Sequence, residues 1–306
     1  MRTTTRSRVS LAFTYVFMPL RADGFNGLGV EETPHRVPCR IVRRINGLAV
    51  DEAGTGAAVL LLHGFPDTGQ LWKHQIPALQ AVGLRTVVID MRGFGASDKP
   101  QDVEPYRVPN HVADMVAILD ELDIERARVV GHDWGAGVAW AMALMAPDRV
   151  ERLVALSVGH PARFSKRSVA QREKSWYMLL FQFPEAEDIL RKNDWALARE
   201  WLASHPEHDE AIERLKEPGA LTAALNWYRA SMHPRNELRD ATFPNVTVPT
   251  LGVWSAEDNF LLEDAMKHSG EHVDAEWRYE RIEGAGHWMQ LDAPDHVSEL
   301  LVEFLA

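Results

Sequence analysis

Five short apolar runs, each bounded by turn residues, constrain this chain more than anything else in it. They are Ala58–Leu62, Arg85–Ile89, Arg128–Val130, Leu153–Ser157 and Thr250–Trp254, with a sixth candidate at Trp277–Ile282. Continuous rather than alternating apolarity is what a strand needs when both faces of its sheet are covered. Amphipathic stretches fit between the runs, as at Val112–Leu122 and Gly135–Met145. Strands alternating with helices imply a mostly parallel sheet with helices packed on both faces, an α/β architecture. From about Pro161 to Asp240 the strand signal disappears and helical spacing takes over, as in Trp195–Trp201. The chain is therefore expected to comprise a leader over residues 1–33, a core built from 34–160 and 241–306, and a helical cap over 161–240. Phe243-Pro244 and Val248-Pro249 close that insertion, and the last helix is expected at Pro294–Leu305.

Composition excludes several classes. The 306 residues are 46% hydrophobic and 25% charged, ample for one large core. A net charge of −11 argues against non-specific nucleic-acid binding. The single cysteine, Cys39, rules out an intramolecular disulfide and a cysteine-based zinc site. It lies in a Val-Pro-Cys-Arg-Ile stretch that reads as an edge strand, where a small buried hydrophobe is expected. No segment reaches the roughly 18 apolar residues of a membrane span. The opening MRTTTRSRVS and the apolar LAFTYVFMPL resemble the first two regions of a signal peptide, but no A-x-A-like cleavage site follows. A cytoplasmic location is the expectation.

The chemistry centres on Val129-Val130-Gly131-His132-Asp133-Trp134-Gly135. This has the strand–Gly-x-X-x-Gly–helix form of the nucleophile elbow of α/β-hydrolases, in which the middle side chain stands above the sheet. That residue is usually Ser, and here it is Asp. A serine that attacked saturated carbon would form an inert ether. A carboxylate that does so forms an ester, which water can still hydrolyse. Asp133 therefore points to substrates opened at saturated carbon, such as epoxides or alkyl halides. The plainer alternative is that Asp133 only caps the helix that follows it.

Other residues stand where this elbow needs partners. His63-Gly64-Phe65-Pro66 follows an apolar strand, so the backbone N–H groups of Phe65 and Trp134 are the candidate oxyanion donors. His287, in Gly284-Ala285-Gly286-His287-Trp288, follows the last strand and is the candidate base for water. Asp258, after the penultimate strand, is the candidate acid that orients it, with Glu257 as the competing carboxylate. His63, Pro66, Trp134 and Trp288 are expected to border the substrate. His63, His132, Asp133, Asp258 and His287 could also converge on a metal, but no helical ligand pair links them and their spacing suits a triad better.

With these residues in place, the chain resembles the epoxide hydrolases of the α/β-hydrolase superfamily. The matching stretches are His63–Trp72, Asp90–Pro100, Val129–Ala136, Trp254–Leu261 and Gly284–Pro294, and the similarity spans roughly Pro38 to Leu305. The resemblance extends to the cap and implies that Tyr177 and Tyr228 are the family's two lid tyrosines. Epoxide opening leaves an alkoxide, which two phenolic O–H groups can polarise and protonate. A halide leaves without a proton and would not need them. Haloalkane and fluoroacetate dehalogenases are also similar. However, the first often carry Asn after His-Gly where this chain has Phe65. The second carry arginines where this chain has Trp134 and Gly137. A dehalogenase using the same nucleophile is the enzymatic alternative, and a silent binding protein on this fold the non-enzymatic one. The expected substrate is an apolar epoxide, with no cofactor, no metal and no nucleic acid; a homodimer is the assembly to be tested.

Overall fold

The computed structural model describes residues 41–164, 167–235 and 242–306. The leader and Cys39 lie outside the described residues. The chain begins with β1 (Ile41–Ile45) and β2 (Leu48–Ala53), then β3 (Ala58–Leu62), α1 (Gln75–Ala81), β4 (Arg85–Ile89) and α2 (Val108–Glu121). It continues through β5 (Ala127–His132), α3 (Trp134–Met145) and β6 (Val150–Leu156). Six helices follow: α4 (Pro161–Phe164), α5 (Val169–Lys174), α6 (Tyr177–Leu180), α7 (Ala186–Trp201), α8 (His208–Lys216) and α9 (Ala220–Ser231). The sheet resumes with β7 (Thr250–Ser255), α10 (Glu263–Lys267) and β8 (Trp277–Ile282), before α11 (Met289–Asp292) and α12 (Pro294–Leu305).

The strands form one sheet in the order β1-β2-β4-β3-β5-β6-β7-β8. From β4 to β8 all pairings are parallel; β2 joins β1 and β4 antiparallel. The apolar runs are buried along their length, with all five side chains of β3 inaccessible. The hairpin edge is different. β2 alternates buried and half-buried residues, as expected of a strand with one covered face. Its weaker apolar signal is why the run-based reading started at β3. α1 packs on α12 and β4, while α3 packs on β3, β5, β6 and α2.

Between β6 and β7 the described residues hold helices and no named strand. The helix expected at Trp195–Trp201 is the second half of α7, which breaks its helical geometry at Lys192–Trp195. This segment is tied to the sheet domain by its own side chains. Trp227 Nε1 donates to Arg92 O at 2.9 Å, and Asn226 Nδ2 to Gln101 O at 2.9 Å. Trp227 also stacks on His111 of α2, with ring centroids 3.7 Å apart.

The crossing of β5 and α3 admits no spare atoms. A Cβ on Gly135 would lie 2.1 Å from Leu62 O, and one on Gly131 would lie 2.2 Å from Gly135 O. Both obstacles are backbone, one in β3 and one in the first turn of α3. Gly135→Ala should lower unfolding free energy by at least about 3 kcal/mol, since overpacking of this kind cannot relax through side chains. Chemical denaturation would measure it; a loss under about 1 kcal/mol would mean the crossing is looser than described.

Candidate active site

Asp133 sits where β5 ends and α3 begins, with φ 52° and ψ −119°. A residue with a Cβ in that region carries about 1–3 kcal/mol of strain, tolerated where the surroundings over-determine it. Its side chain makes no capping bond to α3. Instead Oδ1 accepts the Phe65 backbone N–H at 2.9 Å, while Oδ2 lies 3.6 Å from His287 Nε2. The side chain keeps 16% of its surface accessible, although the residues around it are almost fully buried. The carboxylate is held by a backbone donor at one oxygen and faces the His287 imidazole at the other.

His287 arrives on the loop after β8. Its Nδ1 donates to Asp258 Oδ2 at 2.8 Å. Asp258 is itself fixed, its Oδ1 accepting the N–H groups of Phe260 at 2.7 Å and Leu261 at 2.9 Å. Glu257 is exposed and takes no part. Burial alone would lower the His287 pKa, but the charge of Asp258 and the hydrogen bond and charge of Asp133 overcome it and raise the value to about 10. For Asp258, burial favours the neutral acid. The imidazolium and two backbone N–H groups outweigh it and hold the pKa below the ordinary carboxylate value. Carboxylate, imidazolium and carboxylate thus form one buried row.

Two tyrosines of the helical segment between β6 and β7 stand beside this row. Tyr177 and Tyr228 have ring centroids 5.9 Å apart, and Tyr228 stands edge-on to Trp134 at 5.0 Å and to Phe65 at 5.8 Å. Burial first, and then the negative charge of Asp133, raises both phenol pKa values well above normal. Each therefore stays a protonated donor. The structure brings Asp133, His287, Asp258, Tyr177, Tyr228 and the Phe65 N–H together, with Trp134 opening α3 beside them.

Two of the residues expected to border substrate have other work. His63 is inaccessible; its Nδ1 donates to Gly64 O at 2.8 Å and its Nε2 accepts Met91 N–H at 2.9 Å. No polar ring atom is left for a substrate, so its role is to pin two loops together. Trp288 is 1% exposed and its Nε1 donates to Asp67 Oδ2 at 2.9 Å. Its ring meets His287 edge-on at 5.0 Å, so it supports the base from behind. Pro66 is buried in the loop next to Phe65. Among the described residues no three His, Asp or Glu groups are placed to hold a metal ion.

Sequence reasoning passed over Asp67 and weighed His132 only as a metal ligand. Asp67 accepts bonds from Trp288, from His205 Nε2 at 3.1 Å and from Arg214 at 3.4 Å, joining the helical insertion to the loop of the base. Burial opposes its charge, yet the His205 bond and the nearby cations keep its pKa low. Its only sequence signal was its place after His63–Pro66. His132 donates from Nε2 to His287 O at 2.9 Å. Burial and the charge on His287 lower its pKa to about 4, so it is a neutral strut.

The geometry has counterparts in known proteins. A family model described as alpha/beta hydrolase fold matches residues 57–294. The chain is 34% identical over 303 residues to Epoxide hydrolase A of Mycobacterium tuberculosis, covering 84% of this chain and 94% of that protein. It is 33% identical over 289 residues to the AB hydrolase superfamily protein YfhM of Bacillus subtilis, covering 88% and 98%. Among solved structures it is similar to an epoxide hydrolase of Bacillus megaterium in complex with an inhibitor. That match has a TM-score of 0.77 and 26% identity, over 87% of this chain and 99% of the other.

Asp67→Ala would leave His205, Trp288 and Arg214 without their shared acceptor. Breaking a buried charged cluster on one side costs about 3–5 kcal/mol, and a loss of that size is expected in a urea melt. A change below about 1 kcal/mol would show that the cluster is not under this constraint.

Proposed function

The chain belongs to the epoxide hydrolase family of the α/β-hydrolase superfamily, and from that membership we propose that it opens apolar epoxides to vicinal diols through an ester on Asp133. The observation that carries the proposal is the division of labour within one carboxylate. Oδ1 rests on the Phe65 N–H, and Oδ2 faces His287.

In the first step Oδ2 attacks an epoxide carbon and the ring C–O bond breaks. Tyr177 and Tyr228 hold the departing oxygen, and one of them protonates it. The phenolate left behind recovers its proton from the His287 imidazolium. Alkylation removes the Asp133 charge that helped to hold that proton, so the base is released when it is needed. In the second step neutral His287 takes a proton from water, which attacks the ester carbonyl. The negative charge then develops on Oδ1, already against Phe65 N–H, with Trp134 N–H as the second donor. One such donor contributes about 2.7–4 kcal/mol to lowering the barrier. The ester C–O bond breaks, the departing alkoxide takes the proton of the hydroxyl that water added, the diol leaves, and imidazolium and carboxylate remain. Residues 161–240 act as the cap that excludes water. Two protonated phenols beside the nucleophile favour epoxide over halide, which leaves without a proton. A cytoplasmic site of action fits a chain with one cysteine.

Two experiments test the mechanism. His287→Ala should still be alkylated but should fail to hydrolyse the ester, so intact-protein mass spectrometry after styrene oxide should show one substrate mass added at Asp133. No adduct with aromatic or aliphatic epoxides would overturn the reading. Asp258→Asn removes the charge that raises the His287 pKa. Ester hydrolysis should fall by on the order of 10³–10⁴-fold, and its rise with pH should move to lower pH. A pH profile that stays in place would exclude Asp258 from this role.

A further inference from the structure

Asp258 orients His287 only if the loop that carries it keeps its shape, and the backbone of that loop is gripped from outside. The grip comes from α5. Gln171 is buried, and its side-chain amide lies along residues 260–262. Nε2 donates to Phe260 O at 2.9 Å, and Oε1 accepts Leu262 N–H at 2.8 Å. Those partners fix which end of the amide is which, since a carbonyl needs a donor and an N–H an acceptor. One turn further along, Lys174 Nζ donates to Asp258 O at 2.6 Å. Between the two bonds of Gln171 lie the Phe260 and Leu261 N–H groups that hold Asp258 Oδ1.

α5 also sets the place of Tyr177. Only Ser175 and Trp176 separate the end of α5 from Tyr177, the first residue of α6. Ser175 is buried, its hydroxyl donating to Gln171 O and accepting from Gln171 Nε2 at 3.3 Å. α6 has four residues, too few to hold a position through its own hydrogen bonds. Beyond its far end, Gln182 Nε2 donates to Tyr228 O on α9 at 3.1 Å. At its near end it has α5, and α5 is fastened to the acid loop.

Resting on the epoxide reading above, we propose that Gln171 is a positioning residue for both chemical steps. One amide places Asp258 against His287 for ester hydrolysis and Tyr177 against the epoxide oxygen for ester formation. Gln171 itself touches neither the substrate nor the reacting atoms. The phenol and the acid come from different parts of the chain, one between β6 and β7 and the other after β7, and this side chain makes them a single unit.

Gln171→Met keeps the length of the side chain and roughly its volume while removing both bonds. Single turnover of styrene oxide, quenched and read by intact-protein mass spectrometry and diol release, gives the rates at which the Asp133 ester forms and decays. Both should fall by about tenfold, since misplacing a positioned group by about 1 Å can cost on the order of 10²-fold. The pH at which ester decay rises should move down, because the Asp258 charge then bears less firmly on His287. In a Tyr177→Phe background the same substitution should slow ester formation by less than about twofold, as the phenol it positions is gone. Loss of stability alone would produce neither of these last two results. A tenfold loss of ester formation that persists in that background, or a fall confined to one step, overturns the assignment. Lys174→Met removes one bond instead of two and carries the same test should Gln171→Met not fold. A fall of about threefold is expected in both rates, and unchanged rates would sink the proposal. A wild type that neither forms the ester nor releases diol refutes the epoxide reading, and this inference with it.

Discussion

A bare carboxylate above the middle of a parallel sheet needs a backbone that leaves a strand and enters a helix within a single residue. Here that residue is Asp133, held in a conformation that side-chain-bearing residues seldom adopt. What permits it is the absence of side chains two residues away on either side, at Gly131 and Gly135. α3 crosses β3 so closely that Gly135 stands where Leu62 O would meet any Cβ, and Gly131 is closed off in turn by Gly135 O. The strain at the nucleophile and the packing of the sheet centre are thus one feature. Because α3 is anchored against three strands, the carboxylate cannot relax away from Phe65 N–H.

A buried row of two carboxylates and one imidazolium would be costly if any member lost its partner. The structure provides for each. Asp258 is saturated by two backbone N–H groups and His287, and the His287 carbonyl is gripped by His132 Nε2. Asp133 is the member with least support, one backbone donor and a 3.6 Å approach to the imidazolium. A nucleophile should be the least satisfied group in its cluster, since hydrogen bonds that stabilise it must be given up as it attacks. The placement of partners follows that logic.

The parts legible in the sequence were those carried by periodicity or by short motifs. Strands β3 to β7 announced themselves as apolar runs, β8 only as a weaker candidate, and Pro294–Leu305 was bounded by its own proline and amphipathic spacing. The elbow, His287 and Asp258 followed from chain order. What stayed hidden depended on three-dimensional neighbours. The β1–β2 hairpin carries a half-covered edge with a weak apolar signal. His63 and Trp288 sit in motifs beside the site, and only coordinates reveal that backbone and Asp67 absorb their polar atoms. Asp67 gathers donors from residues 205, 214 and 288, which no local pattern could connect.

The helical segment between β6 and β7 brings its tyrosines into the electrostatics of the site. Burial shifts acids and bases in opposite directions, and the site exploits both. The phenols of Tyr177 and Tyr228 are pushed up and kept as donors, as an epoxide oxygen requires. Burial alone would strip His287 of its proton, and only the flanking carboxylates retain it. That balance is sensitive to one charge. In the proposed reaction, where Asp133 becomes a neutral ester, the imidazolium loses one of its two supports while desolvation is unchanged. In a wet site, screening would blunt this change; in a chamber closed by aromatic rings it is felt in full. In that proposal, exclusion of water is what lets the loss of charge on one residue convert its neighbour from proton donor to base.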